Sequence, residues 1–339
     1  MPKQLSRIAD FAGVSEMTVS RVLSGKGRVA PATRDVVLSA LDVLGIERPA
    51  GERRERGPLV GLVVPDLQNP VFPAFAEALA GRLNKRGLIP VLCTRTADGV
   101  SEANYIEMLL AQNIGGIVFV GSSYTDAGPE SSRELRARGV PMVLVNAADE
   151  NPGVAQVSAD DEASAQQALH HLAELGHERI GLVVGPVGHV PSARKMAGYA
   201  AFWQGRGVAA RQWRPMVAHT SFSMEGGAMA ATQLLERGVT ALVCASDAVA
   251  LGAIRAARRK GLKVPGDLSV VGFDDSPFLV ATDPPLTTLR QPVAPMADAA
   301  IEALTSQFAG SPVTTGTLLF QTELIVRGST GLSPDQRRT

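Results

Sequence analysis

The sequence predicts a small all-α head joined by a linker to an α/β body of two lobes, each built on a doubly wound parallel sheet. Three observations predict it. Through the first 45 residues apolar side chains recur at helical spacing and no strand pattern occurs. Residues 46–58, IERPAGERRERGP, are charged, contain Pro and Gly and hold almost no apolar anchor, which is the composition of a linker. From Leu59 onward short β-branched runs alternate with amphipathic stretches, as expected of strands buried on both faces and separated by helices.

In the head, Ile8, Ala9 and Ala12, then Val19, Val22 and Leu23, then Val36, Val37, Ala40, Leu41 and Leu44 mark three helices. Gly13 ends the first, Ser15 caps the second, Pro31 suits the first turn of the third, and Gly45 closes it. The stretch Ile8–Leu23 reads as a helix-turn-helix. Small Ala12 permits close packing, Gly13 makes the turn, and Val14 and Val19 fill the gap between the helices. The second helix then presents Glu16, Met17, Ser20 and Arg21 to solvent, a face suited to the major groove. Arg21 is placed to bond guanine O6 and N7, and Thr18, Ser20 and Thr33 can donate to phosphates. The candidate DNA-binding residues are Ser15, Glu16, Met17, Thr18, Ser20, Arg21, Arg28, Thr33 and Arg34. For Lys26 and Arg34, phosphate contact and a solvated surface charge stay open as alternatives.

In the body, strands are expected at Leu59–Val64, Ile89–Leu92, Gly116–Val120, Pro141–Val145, Ile180–Val184, Ala241–Cys244 and Leu268–Gly272, with a last strand at Thr317–Ile325. Helices are expected at Phe72–Arg86, Glu102–Gln112, Ala163–Leu175, Ala193–Gly207, Glu225–Arg237 and Ala248–Lys260. Seven strands before the last fit two sheets better than one. The expected division is 1–46 for the head, 47–58 for the linker and 59–339 for the body. Lobe 1 takes 59–157 plus 290–320, and lobe 2 takes 158–289 plus 321–332. Ligands of such folds bind outside the carboxyl ends of the strands, so facing lobes make a cleft.

Composition narrows the function. Lys+Arg 33 balances Asp+Glu 33, but residues 1–57 carry ten basic and seven acidic side chains, leaving a slightly basic head on a slightly acidic body. Aromatics at 4% argue against a stacking platform for single-stranded nucleic acid. Cys93 and Cys244 lie far apart in apolar runs and read as two reduced core thiols. The start MPKQLSRIADF has no secretory apolar region, and no apolar run approaches the roughly 20 residues of a membrane span, so a soluble cytoplasmic protein is expected. His170, His171, His177, His189 and His219 show no metal-ligand spacing, and no nucleophile elbow, C-x-x-C or P-loop occurs. No cofactor, metal or catalytic constellation is expected.

Several stretches resemble the lactose/galactose repressor (LacI/GalR) family, in order along the chain. Residues 5–45, with Ala30-Pro31-Ala32-Thr33-Arg34, resemble its DNA-binding head. Val63–Pro70, Leu175–Ile180, Ser246–Gly252, Val271–Asp275 and Pro284–Thr288 resemble its strand-end loops and lobe crossings. The resemblance implies a helix-turn-helix head on a body like a periplasmic sugar-binding protein, working as a dimer on roughly palindromic operators. The family usually carries a Pro-Asn pair and a hinge helix with a leucine that wedges the minor groove. This chain has Pro49-Ala50, lacks that leucine and is shorter here. Arg53, Arg54 and Arg56 either contact phosphates or a narrow groove in its place, or form a solvated linker.

The resemblance also points to an effector site of Val71, Phe72, Lys195, Phe222, Ser246 and Asp274. Pro70-Val71-Phe72 supplies an apolar wall and a helix N-terminus suited to an anion or hydroxyl. Lys195, where the family often has Arg, supplies a point charge, with Arg194 as a possible substitute. Phe222 stacks on a sugar face or packs in the core. Asp274 accepts hydroxyl hydrogens. Asp247 is expected to cap the helix Ala248–Lys260, and one of Asp160 and Asp161 to cap the helix after them, with a ligand role for these two not preferred. Lys195 and Met17 together resemble the gluconate-utilisation repressors. The expected function is a homodimeric repressor of carbohydrate or sugar-acid catabolism genes, binding double-stranded operator DNA and a small effector. A sugar acid is favoured over a neutral sugar, with no membrane contact. The competing readings are a solute-binding module without a DNA role and an α/β metabolic enzyme.

Overall fold

A computed structural model describes residues 2–24, 29–44, 46, 57–95, 99–149, 153–313 and 316–336. They form two compact units divided between Gly57 and Pro58. In the first, α1 (Pro2–Ala12), α2 (Glu16–Ser24) and α3 (Pro31–Val43) pack around buried Ile8, Val19, Val22, Val37, Leu38 and Leu41. Gly13 takes φ +64° between α1 and α2, a left-handed position that a residue without Cβ adopts freely. Ser15 Oγ accepts the Thr18 N–H at 3.2 Å and so closes the start of α2. Pro31 opens α3, where a missing N–H loses no bond. The expected cap at Gly45, the DNA contacts of Lys26 and Arg28, and the linker with Pro49, Ala50, Arg53, Arg54 and Arg56 lie outside the described residues.

The second unit begins β1 (Leu59–Val64), α4 (Val71–Lys85), β2 (Ile89–Thr94), α5 (Glu102–Ala111), β3 (Gly116–Val120), α6 (Ser123–Asp126), α7 (Gly128–Ala137), β4 (Met142–Val145) and β5 (Ala155–Ala159). It continues α8 (Asp161–Glu174), β6 (Ile180–Val184), α9 (Val190–Gly205), α10 (Ala210–Trp213), β7 (Val217–His219), α11 (Met224–Glu236), β8 (Ala241–Cys244), α12 (Asp247–Arg259) and β9 (Ser269–Asp274). It ends β10 (Thr287–Arg290), α13 (Val293–Phe308), β11 (Thr317–Phe320) and β12 (Glu323–Ile325).

These strands make two sheets. One runs β11-β5-β4-β3-β1-β2 and is parallel throughout. The other runs β12-β10-β9-β8-β6-β7 and is parallel except where β12 meets β10. Strands β3, β4, β6 and β8 are buried at every residue, because helices cover both sheet faces. In the first lobe α4 and α13 cover one face, and α5, α6 and α7 supply the apolar cluster on the other. In the second, α8 and α9 lie on one side and α11 and α12 on the other. Cys93 and Cys244 are buried, separate thiols on β2 and β8.

The chain passes between the lobes after β5, after β10 and between β11 and β12. The first and third passages are tied together. Asp160 N–H donates to Phe320 O at 2.8 Å, Gln321 Nε2 donates to Asp160 Oδ2 at 2.9 Å, and the Ser164 and Thr322 hydroxyls lie 2.8 Å apart. The expected single strand Thr317–Ile325 is therefore two strands in different sheets, broken at Gln321-Thr322. Ser158 and Ala159 belong to the first sheet and Arg290 to the second, so both boundaries shift slightly from those expected. Strands β5, β7 and β10 are partly polar and become strands by pairing with neighbouring strands of their sheets.

Candidate functional site

On the head, Val19 and Val22 hold α2 to the core, and helical geometry then turns Glu16, Met17, Ser20 and Arg21 outward, all exposed. Arg21 Nη2 reaches the Met17 sulfur at 3.5 Å, so the two longest side chains on this face lie together. The Thr18 hydroxyl meets the Ser15 hydroxyl at 2.9 Å. Thr33 and Arg34, in the first turn of α3, are half-buried.

In the body a cleft of about 460 Å³ opens where strands of both sheets end, within the size range of small-molecule sites. Pro65 and Asp66 follow β1, Arg95 follows β2, Gly121 and Ser122 follow β3, and Asn146 follows β4. Pro186, Ser221 and Ser246 stand beyond β6, β7 and β8, Asp274 ends β9 and Gln291 follows β10.

All six expected effector residues line this cleft: Val71, Phe72, Lys195, Phe222, Ser246 and Asp274. Phe72 stands against Gly121. Phe222 lies so close to Gly185 that a Cβ there would overlap its ring, and its other edge meets His189 with ring centroids 5.0 Å apart. Ser246 Oγ accepts the Val249 N–H at 3.3 Å, so Ser246 caps α12 while lining the cleft. Asp247 is therefore not the cap that the sequence suggests. It is buried beneath, accepting from Ser276 N and Oγ at 2.8 Å each and from Thr288 Oγ1 at 2.7 Å.

Asp274 is held with φ +111° at the end of β9, and Gln291 Nε2 donates to its Oδ1 at 2.6 Å. Burial, with the Asp247 charge added, pushes its carboxyl well above the usual range. Gln291 Oε1 in turn accepts from Asn146 Nδ2 at 2.9 Å, and Asn146 Oδ1 accepts the Ala159 N–H at 3.0 Å. This chain of bonds runs from the second lobe to the first through a crossing segment. Nothing local in the sequence marks Asn146 or Gln291; only their positions just after β4 and β10 signal them.

Lys195 differs from its expectation as a free point charge. It is 4% exposed, its ammonium is ion-paired with Asp161, itself 2% exposed, and it sits 3.6 Å from the centroid of the Phe273 ring. Arg194 does not line the cleft. The start of α4 is not an open anion site either, since Val71 and Phe72 N–H groups donate to Asn69 Oδ1 and O at 3.4 and 3.1 Å. Burial, followed by the Lys195 charge, lowers the His189 imidazole to about 4, so it is neutral at neutral pH. Of the two adjacent carboxylates, Asp160 caps α8 through the Ala163 N–H at 3.0 Å, and Asp161 faces the cleft. Among the described residues no group of three His, Cys, Asp or Glu is placed to hold a metal, and no helix is long and apolar enough to cross a membrane.

Comparison with known proteins agrees with the two-part architecture. Residues 4–46 match the family of bacterial regulatory proteins, lacI family, and residues 169–330 match a periplasmic binding protein-like domain. The HTH-type transcriptional regulator reg1 of Streptomyces lividans is 47% identical over 342 residues, covering 99% of each chain. The solved structure of a transcriptional regulator CelR–cellobiose complex is 29% identical, covers 96% of this chain and 99% of its own, and has a TM-score of 0.72. A lac repressor dimer bound to operator and an anti-inducer is 26% identical, with 96% and 98% covered and a TM-score of 0.72. With a helix-turn-helix head, a two-lobed α/β body and full-length relatives that are regulators rather than enzymes, this chain belongs to the LacI family and is a DNA-binding transcriptional regulator.

Proposed function

We propose that the protein is a homodimeric repressor of carbohydrate-catabolism genes, which binds a pseudo-palindromic operator through α2 and releases it when a neutral sugar fills the cleft. The reading of the operator rests on Glu16, Met17, Ser20 and Arg21 facing outward from a buried seam, with Arg21 bonding a guanine and Ser15, Thr18, Ser20, Thr33 and Arg34 contacting phosphates. The dimer is supported by the lac repressor relative, a dimer on its operator.

The observation that carries the effector class is the pairing of Lys195 with Asp161. A sugar acid such as gluconate is the expectation only for an unmatched cation at Lys195. With its charge matched, Lys195 offers a ligand carboxylate no unpaired ammonium, and Arg95, which also lines the cleft, is ion-paired with Glu102 at 3.6 Å, whereas hydroxyls find acceptors in Asp274 and Asp161 and apolar walls in Phe72 and Phe222. The cleft volume of about 460 Å³ lies within the range of small-molecule sites and leaves room for a sugar of one or two rings. The cellobiose complex of the CelR relative agrees with that size.

The test is a gel shift on palindromic operator-like DNA with and without neutral mono- and disaccharides. Binding that a neutral disaccharide releases supports the reading. Binding released by gluconate alone, or no DNA binding at all, overturns it.

A further inference from the structure

The β7 edge of the second lobe carries charge of one sign. No Asp or Glu occurs from Arg179 through Met224, and within that run Arg206 follows α9, Arg211 lies in α10 and Arg214 opens the turn that leads into β7. All three are exposed. Arg237, just after α11, reaches the same turn and donates to Pro215 O. Exposed arginines elsewhere in the body, such as Arg138, Arg255 and Arg258, meet a carboxylate at 2.6, 3.2 and 2.9 Å. Among the described residues, Arg206, Arg211, Arg214 and Arg237 have no carboxylate within ion-pair distance.

Two of these side chains are held in place. Arg206 lies 4.4 Å from the centroid of the Phe202 ring and Arg214 lies 5.7 Å from that of Trp213, both within cation–π range. The rings are fixed in turn. Phe202 meets Trp203 edge-on at 5.1 Å, Trp213 meets Tyr199 at 5.8 Å, and the Tyr199 hydroxyl donates to Ile180 O at 2.8 Å. A guanidinium stacked on a ring keeps its N–H edge free and loses less side-chain entropy when that edge binds. Trp213 is 6% exposed, and its indole N–H has no acceptor among the described residues. A guanidinium donates and never accepts, so the complement of this surface is a set of carboxylates or phosphates.

The two sources of such groups differ in extent. Proteins that hold duplex DNA neutralise on the order of six to ten phosphates. Three or four arginines on a body that is slightly acidic as a whole fall short of that. A short acidic segment presents only a few carboxylates, and arginine beside buried aromatic rings is the composition found at the centre of protein interfaces.

We propose that Arg206, Arg211 and Arg214 form a docking surface for an acidic segment, rich in Asp and Glu, of a partner protein. None of the three lines the cleft, so the inference stands apart from the identity of the effector. The experiment is fluorescence anisotropy of a labelled hexa-aspartate peptide titrated with the full chain, and with two triple variants at 206, 211 and 214. One carries Arg206→Ala, Arg211→Ala and Arg214→Ala. The other carries Arg206→Lys, Arg211→Lys and Arg214→Lys, which keeps the charge and removes the planar fork. Arg237 is left in place because it ties the end of α11 to the turn before β7. The head is the same in all three proteins, so differences between them read the patch. The wild type is expected to bind the peptide. The alanine variant is expected to bind about tenfold more weakly or worse, and the lysine variant about threefold more weakly or worse. No binding by the wild type, or equal binding by the wild type and the alanine variant, overturns the inference. Equal binding by the wild type and the lysine variant reduces the affinity to bulk charge and overturns it too. A duplex without an operator is titrated in parallel. If its binding falls in the alanine variant while that of the peptide does not, the surface belongs to nucleic acid and the inference is overturned. Should the alanine variant fail to fold, the lysine variant, which keeps the charge and the side-chain stems, carries the test alone.

Discussion

The DNA-binding head and the effector cleft are built on opposite plans. The head is one continuous segment whose recognition face is a solvated helix surface over a small apolar core. The cleft is gathered from the ends of many strands across two sheets and keeps charged groups buried: Lys195, Asp161 and, under its floor, Asp247. On the head, the residues proposed to bind DNA and those that hold the fold are therefore different side chains. In the cleft the residues proposed to bind the effector are also part of the packing, so a substitution there is expected to alter selectivity and stability together.

The largest effect that tests this separation is Leu41→Ala. Leu41 is fully buried in the head core, and a segment this small has little stability in reserve. A loss of about 2–5 kcal/mol is expected to unfold the head, abolishing operator binding in a gel shift while the sugar-induced thermal shift survives. Loss of both activities would show that the two units do not fold separately.

Asp274→Ala comes next. Removing the acceptor is expected to weaken the neutral sugar by about a hundredfold or more in titration calorimetry, because a site built to bond hydroxyls loses its partner. The melting temperature of the unliganded protein is expected to rise, since a carboxylate that burial has pushed well above its usual range is removed. A cleft residue whose removal costs only stability would contradict the overlap of binding and folding roles in the cleft.

Arg21→Ala should cost about 1–3 kcal/mol of operator binding and relax preference for guanine at one position of each half-site. Its exposure predicts unchanged sugar affinity and an unchanged melting temperature. A drop in melting temperature would place Arg21 in the fold of the head as well as on its surface.

The smallest effect is one of pH. Burial, opposed by bonds from Ser276 and Thr288, pushes the Asp247 carboxyl up to about 6 from its ordinary 3.8. Between those values the folded protein holds more protons than the unfolded chain. Stability from this group is therefore lost as pH rises from about 4 to about 6, on the order of 1.4 kcal/mol per pH unit. His189, lowered to about 4 by burial and Lys195, acts with the opposite sign from pH 6.5 downward. The readout is accordingly the difference between wild type and Asp247→Asn in denaturant titrations across this window. It should move in favour of the variant as pH rises, and a flat difference would show that Asp247 does not titrate there.

Much of the fold was legible because its signals are local. Leu59–Val64, Gly116–Val120, Ile180–Val184 and Ala241–Cys244 are strands as the apolar runs suggest, since a strand covered on both faces must be apolar at every position. The turn at Gly13, the cap at Ser15 and the helix-opening Pro31 are equally local. The three-residue β7 and the polar β10 carry no such signal, because their hydrogen-bonding partners lie elsewhere in the chain. The break of Thr317–Ile325 into strands of two sheets is of the same kind, as neither half is distinctive alone.

The sequence by itself determined the helix-turn-helix, the alternation of buried strands and helices, and which residue types stand at the strand ends. The tertiary structure decided how those residues pair. Asp161 and Lys195 lie on different helices, and Asp274, Gln291 and Asn146 come from three separate strand ends. Whether a charge in a cleft is free or matched depends on contacts between such distant segments, and it is this that turns the reading of the effector from an acid toward a neutral sugar.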